Sequence, residues 1–291
     1  MTLPDVAYHR ATSLADACRL GEQLGSEAAF LAGGTELLPD YLRQRESARH
    51  LIALDGLSEL RGIAEDGDTL VIGGLTSIAE VAGSPLVRSW FPALAEAARA
   101  IGSPFIRSRA TIGGNFCRAV PCADTPPAAV AAGARVRLVG PLGTRELEAG
   151  DFIIGPRQTA LVAGEVLTAI AIPRQPAASG GSYQRFARRK GAALAVAAVA
   201  ARVVMDGPVI GDVRLALGAV APVPMLAARA AARLRGERPS AGLFALAGDE
   251  CAGEALPITD VRATAEFRRD LVRVLARRAL AQAVQRAEGT A

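Results

Sequence analysis

Three glycine pairs, Gly33-Gly34, Gly73-Gly74 and Gly113-Gly114, each close a short apolar run, and they fall 40 residues apart in the chain. An apolar run cut off by consecutive glycines reads as a buried strand feeding a tight turn, because glycine adopts backbone conformations closed to other residues. Helical segments lie between. LADACRLGEQL places Leu14, Ala17, Cys18 and Leu24 on one face behind Ser13 as N-cap, and LLPDYLRQR, SIAEVAGSP and PALAEAARAIG follow it. With HLIALDGL and DTLVIGGL repeating the strand-then-turn pattern, the first half alternates strand and helix, which predicts α/β layers. The even spacing invites a solenoid or propeller, but FLAGGTELL, LVIGGLTSI and ATIGGNFCR share only their strand-to-turn character, so a true repeat is not expected.

The pattern changes at RQPAASGGS, around residues 175 to 182, a cluster of Pro, Gly and Ser that marks a domain boundary. Beyond it, Ala193 to Val204, a turn at Asp206-Gly207, and Val209 to Leu217 predict a hairpin. Residues 260 to 287 carry Val261, Phe267, Leu271, Val274, Leu275 and Leu280 at helical spacing, with Thr259 or Asp260 as cap, which predicts a long terminal helix. Strands followed by helices predict a small α+β unit.

Several function classes drop out. The 291 residues are 51% hydrophobic, which excludes disorder, while a net charge of +4 with 8 Phe, 3 Tyr and 1 Trp is weak equipment for stacking and neutralising a nucleic acid. Cys18, Cys117, Cys122 and Cys251 are too few and scattered for a secreted disulfide framework, and the start MTLPDVAYHRATSL has no secretory pattern, so a cytoplasmic protein is expected. The longest apolar run, Ala192 to Ala201, is far short of the roughly 20 residues of a membrane span. No two glycines are separated by a single residue, so the GxG core of the Rossmann fingerprint is absent, as is the GxxxxGK[ST] phosphate loop. With only His9 and His50, metal-hydrolase and His-triad chemistry lose their support, and no metal site is expected.

The chemistry-bearing features are two similar turns, Ala32-Gly33-Gly34-Thr35-Glu36 and Thr111-Ile112-Gly113-Gly114-Asn115. Consecutive glycines can point successive amides into one concavity, and Thr35, Thr111 and Asn115 add side-chain donors. Two such loops facing each other would hold a pyrophosphate on amide dipoles and hydroxyls, without a dedicated Lys or Arg. Each loop taken alone reads as only a tight turn, and Gly73-Gly74 is left as one. The tract IGSPFIRSRATIGGNFCRAVPCADTPPAAVAAGA, from 101 to 134, adds Arg107, Arg109, Pro121, Asp124, Pro126 and Pro127 in a segment of low helix propensity.

That tract resembles the glycine-rich flavin-binding segment of the FAD-binding (medium) subunits of molybdenum hydroxylases, the xanthine dehydrogenase and carbon monoxide dehydrogenase family. FLAGGTELLP is similar to the family's first FAD loop, LIALDGLSELRGIAEDGDTLVIGGLTSIAEV to the segment after it, and SYQRFARR and EFRRDLVRVLARRAL to parts of its C-terminal domain. The resemblance runs end to end and in order. It implies an α+β protein with a two-subdomain α/β FAD-binding domain of the PCMH type at 1–177 (subdomains about 1–56 and 57–177) and a small α+β C-terminal domain with an antiparallel sheet and helices at 178–291.

Carried over residue by residue, the family's cofactor contacts fall on Leu31, Ala32, Gly33, Gly34, Thr35, Glu36 and Leu37 in the first loop, and on Thr111, Ile112, Gly113, Gly114, Asn115 and Cys117 in the second. Asp124 matches the family's acidic FAD contact, Ile101 and Leu167 its apolar positions at the flavin ring, and Arg185 the basic residue of a Tyr-x-Lys pattern. Ile101 and Leu167 also read as plain core, and Arg185 as a solvated cation. The chain departs from the family at Ala11, where a proline is common, and after Arg189, where Lys190-Gly191-Ala192-Ala193 replaces an acidic residue. Arg185 for Lys keeps the charge and changes the hydrogen-bond geometry. Cys117 and Cys122 are two thiols where a 4Fe-4S cluster usually takes four, so packed free thiols are expected.

The resemblance implies an FAD-binding electron-transfer subunit of a heteromeric molybdenum-containing hydroxylase, without a catalytic acid or base of its own. Its partners would be a small subunit with 2Fe-2S clusters and a large subunit with the molybdopterin cofactor, in a dimer of heterotrimers. The alternatives are a stand-alone NADPH-dependent flavin reductase of related fold and a flavin-free bridging subunit.

Overall fold

The computed structural model describes residues 5–289. The N-terminal strand β1 (Ala7–Arg10), helix α1 (Leu14–Leu24), strand β2 (Ala28–Leu31), helix α2 (Leu37–Leu42) and strand β3 (His50–Ala53) form one body around a parallel three-stranded sheet of order β1-β3-β2. Ser13 caps α1, its Oγ accepting from the Asp16 amide at 3.1 Å, and Ala17 and Cys18 pack on Ile52. Strand β2 ends at Leu31, so the first glycine pair opens at the C-terminal edge of this sheet, where ligands of parallel sheets usually gather.

The next body holds β4 (Ile63–Asp66), β5 (Thr69–Gly73), α3 (Ile78–Gly83), α4 (Pro85–Trp90), α5 (Pro92–Ala100), α6 (Pro104–Arg109), α7 (Ile112–Cys117), α8 (Thr125–Ala132), β6 (Arg135–Gly140), β7 (Gly143–Glu148), α9 (Ala149–Phe152), β8 (Ile153–Gly155), β9 (Gln158–Thr159) and β10 (Val166–Pro173). Its main sheet runs β4-β5-β10-β6-β7 and is antiparallel, with β8 and β9 forming a separate pair. The tract expected to resist helix formation contains three short helices. Each starts at a favourable cap or a proline whose missing donor costs nothing in a first turn: Ser103 with Pro104, Thr111, and Asp124 with Pro126. Every residue of α8 is buried, which no amphipathic pattern could have signalled.

Strands β11 (Ser179–Ala187), β12 (Ala195–Asp206), β13 (Val209–Gly218) and β14 (Met225–Leu226) make an antiparallel sheet covered by α10 (Ala228–Leu234), α11 (Ala241–Glu254) and α12 (Ala265–Gly289). The predicted hairpin is present, Asp206 pairing with Val209 across Gly207 at φ +55. The terminal helix starts later than expected. Thr264 is its cap, accepting from the Phe267 amide at 3.2 Å, while Asp260 accepts from Arg262 and Arg268. Its buried face also differs: Phe267 and Val274 are 44% and 39% exposed, and Val261, outside the helix, is 94% exposed. Small residues Ala276, Ala279 and Ala283 are inside with Val272, Leu275 and Leu280, because α12 lies so close to the sheet that a Cβ on Gly180 would stand 2.0 Å from the Ala283 carbonyl oxygen. No described helix is long and apolar enough to cross a membrane.

Candidate functional site

A cavity of about 400 Å³ opens where the first glycine turn meets α6, α7 and the segment before β12. Its wall includes Ala32 to Leu37, Ile101, Thr111, Gly114, Asn115, Cys117, Asp124 and Ala192 to Leu194. The turn is shaped by two glycines with separate tasks. Gly34 takes φ +73, and Gly33 lets the turn lie against α6, since a Cβ there would be 2.0 Å from the Arg109 carbonyl oxygen. Carbonyls of Gly34 and Glu36 accept from Leu38 and Asp40 at 3.1 Å and so start α2. The amides of Gly33, Gly34, Thr35 and Glu36 donate to no acceptor among the described residues. Four successive free amides on a cavity wall form a concentration of positive dipole suited to an anion.

The second glycine pair is built otherwise. Expected as a turn, it lies inside α7, and the amides there are already bonded: Ile112 to Thr76 O at 3.0 Å, Gly113 to Gly74 O at 2.9 Å, Gly114 to Thr111 Oγ1 at 3.1 Å and Asn115 to Thr111 O at 3.0 Å. Gly73-Gly74, read as a simple turn, is the support beneath it. A Cβ on Gly113 would sit 2.7 Å from Gly74 O, and one on Gly74 would sit 2.3 Å from Leu167 O. On Gly114 a Cβ would meet only Thr111 Oγ1, at 2.9 Å, so this glycine keeps the wall free of a side chain. Thr125 Oγ1 donates to Asn115 Oδ1 at 2.6 Å, which leaves the Asn115 amide nitrogen as the group available at the cavity.

Asp124 is 5% exposed and held from behind: Tyr183 OH donates to it at 2.6 Å and Arg185 Nη1 lies 3.1 Å from each carboxylate oxygen. Burial pushes the Asp124 carboxyl up, against the pull of Arg185 and the Tyr183 hydrogen bond. Arg185 also donates to Ala193 O at 3.3 Å, tying β11 to the segment that covers the cavity. It is therefore neither solvated nor on the cavity wall, but a support for Asp124.

Other expected residues also lie behind the wall. Ile112, Gly113 and Leu167 are buried beneath it and Leu31 belongs to β2. Cys117, expected to be packed, is exposed on the wall, and Cys122 is half-buried on the same wall; neither is in a disulfide. Sequence reasoning missed Phe30, Gly102, Ile106, Arg118, Val120 and Leu194 on the wall, as well as Tyr183. Only Tyr183 carried a usable signal, two residues before Arg185. The donor set fits a dinucleotide flavin: free amides for a phosphate bridge, a buried carboxylate for hydroxyl or amine groups, and apolar Ile101, Ile106, Val120 and Leu194 for a ring system.

Residues 4–175 match the family described as FAD binding domain in molybdopterin dehydrogenase, and residues 182–283 the CO dehydrogenase flavoprotein C-terminal domain. The chain is 35% identical over 281 residues to the carbon monoxide dehydrogenase medium chain of Hydrogenophaga pseudoflava, covering 96% of this chain and 97% of the relative. It is 32% identical over 286 residues to the putative xanthine dehydrogenase FAD-binding subunit of Escherichia coli, covering 97% of each. Its fold superimposes on carbon monoxide dehydrogenase from Hydrogenophaga pseudoflava lacking the Mo-pyranopterin moiety, with a TM-score of 0.95, 35% identity and coverage of 98% and 99%. With quinoline 2-oxidoreductase from Pseudomonas putida 86 the TM-score is 0.93 at 28% identity, covering 99% of each chain. Two family domains in order, near-complete coverage of full-length relatives and a shared fold place this chain in the family of FAD-binding medium subunits of molybdenum hydroxylases, the electron-transfer flavoproteins of those oxidoreductases.

Proposed function

We propose that this chain binds one FAD non-covalently and acts as the electron-output subunit of a heteromeric molybdenum hydroxylase, passing electrons from 2Fe-2S clusters on a small subunit to an external acceptor. The observation that carries this reading is the run of four free amides from Gly33 to Glu36 on the cavity wall. Bound there, FAD supplies the redox chemistry, and the protein supplies position, electrostatics and access. In this reading residues 1–177 hold the phosphate bridge and residues 178–291 close the cavity, with Ala192 to Leu194 covering the ring and Arg185 fixing Asp124. Asn115 donates to the bridge or ribose, and Asp124 accepts from the cofactor.

In this reading molybdenum and iron are carried by partner chains, as the likeness to medium chains of carbon monoxide dehydrogenase and xanthine dehydrogenase suggests. The test is acid release and mass identification of flavin from the purified complex, with metal analysis. One FAD per chain, with molybdenum and iron co-purifying, is the expected result. FMN, a covalent flavin, no flavin, or substrate turnover by the metal-free chain alone contradicts it.

A further inference from the structure

Beneath the first glycine turn, one buried carboxylate is shared by two guanidinium groups. Asp40, in α2, is 2% exposed. Arg118, following α7, is in ion-pair contact with Asp40 through Nη2, and Arg157, between β8 and β9, donates to Asp40 Oδ2 at 3.0 Å. Two cations around one carboxylate leave a surplus positive charge, which Glu36, 62% exposed and 3.9 Å from Arg118 Nε, offsets only weakly. The Arg118 side chain is only 18% exposed, its buried Nε makes no hydrogen bond among the described residues, and it lines the cavity beside Glu36 and Cys117. A largely desolvated guanidinium in excess of its counter-charge is costly unless an anion completes it.

We propose that Arg118 is the cation that meets the phosphate bridge of the bound dinucleotide, and that Asp40 positions this side chain and tempers its charge. The inference rests on the cofactor reading above and changes one part of the sequence expectation, in which amides and hydroxyls held the phosphates without a dedicated basic residue. Arg118 brings charge to the same wall on which the amides of Gly33 to Glu36 bring dipoles. Arg157 does not line the cavity, so its part is to share Asp40 and keep Arg118 from being fully neutralised.

The experiment is titration of the full chain, stripped of flavin, with FAD and separately with riboflavin, which lacks phosphate, at low and high salt. Arg118→Met is expected to weaken FAD binding by about tenfold and flatten its salt dependence while leaving riboflavin binding unchanged, as for the loss of one charge-assisted contact. Arg118→Lys should recover part of the loss. Asp40→Asn should tighten FAD at low salt even as it lowers the melting temperature, because Arg118 loses its competitor; a purely structural ion pair would make both variants lose FAD. Should Asp40→Asn fail to fold, Arg157→Met gives the same discrimination: it leaves Asp40 wholly to Arg118 and should weaken FAD but not riboflavin. Unchanged FAD affinity in Arg118→Met, or equal losses for FAD and riboflavin, overturns the assignment while the cofactor reading stands. A wild-type chain that binds no FAD, alone or in its complex, overturns both.

Discussion

At Gly33-Gly34 the chain leaves β2 with Gly34 at φ +73 and four amides without acceptors among the described residues, whereas at Gly113-Gly114 it is already inside α7, with the amides of residues 112 to 115 bonded within the protein. The same dipeptide after an apolar run thus produces a donor array in one place and a braced wall in the other. The difference lies in what stands behind each pair. Behind the second is the Gly74 backbone, which accepts from Gly113, and Thr111, whose hydroxyl accepts from Gly114. Behind the first is the Arg109 carbonyl, against which Gly33 packs by contact, leaving its amide free. In the proposed reading, the first turn therefore offers backbone dipoles to an anion, while the second shapes the wall and leads, at the end of α7, into Arg118.

The largest expected effect is on folding, at the support of the second pair. Gly74→Val places a side chain 2.3 Å from Leu167 O, in the strand that pairs with β5, and should cost more than about 3 kcal/mol and most of the folded protein in a thermal melt. Folded Gly74→Val protein with a normal melting temperature would break the claim that the second pair is braced.

Gly114→Val comes next, with the opposite signature. Its branched side chain would stand on the cavity wall and disturb Thr111, so flavin retention should fall by about two orders of magnitude, roughly 3 kcal/mol, in a chain whose circular dichroism remains native. Gly34→Ala sharpens the contrast, because the cost there is backbone strain of about 1–2 kcal/mol at positive φ, and relief of that strain re-aims the amides; FAD affinity should fall about tenfold in equilibrium titration. The smallest effect belongs to Thr111→Val. Losing the α7 cap should lower stability by about 1 kcal/mol in a denaturant titration, with FAD affinity within about threefold of wild type. A larger loss of FAD in Thr111→Val than in Gly34→Ala would reverse the assignment of the two turns.

The first turn was legible because strand, glycine pair and helix follow one another in the order that creates free amides. The second was not, because its helicity depends on Thr111 as cap and on carbonyls of Thr76 and Gly74, which are distant in sequence. The terminal helix was legible in existence but not in orientation. Apolar periodicity selects bulky Phe267 and Val274, whereas close packing on β11 and β12 selects alanine and admits Arg268, whose Nη1 reaches the Val196 and Ala219 carbonyls at 2.6 and 3.0 Å. Arg118 escaped notice for a related reason: a lone arginine in FCRAV carries no signal until the fold brings Asp40 and Arg157 to it.

The division of labour between the two turns is tested most directly by amide hydrogen exchange resolved to single residues, with and without FAD. The amides of Gly33, Gly34, Thr35 and Glu36 should gain protection on FAD binding, while those of Ile112 to Asn115 should be protected already and change little. Equal gains at both turns, or no gain at residues 33–36 in protein shown to hold FAD, would contradict the account.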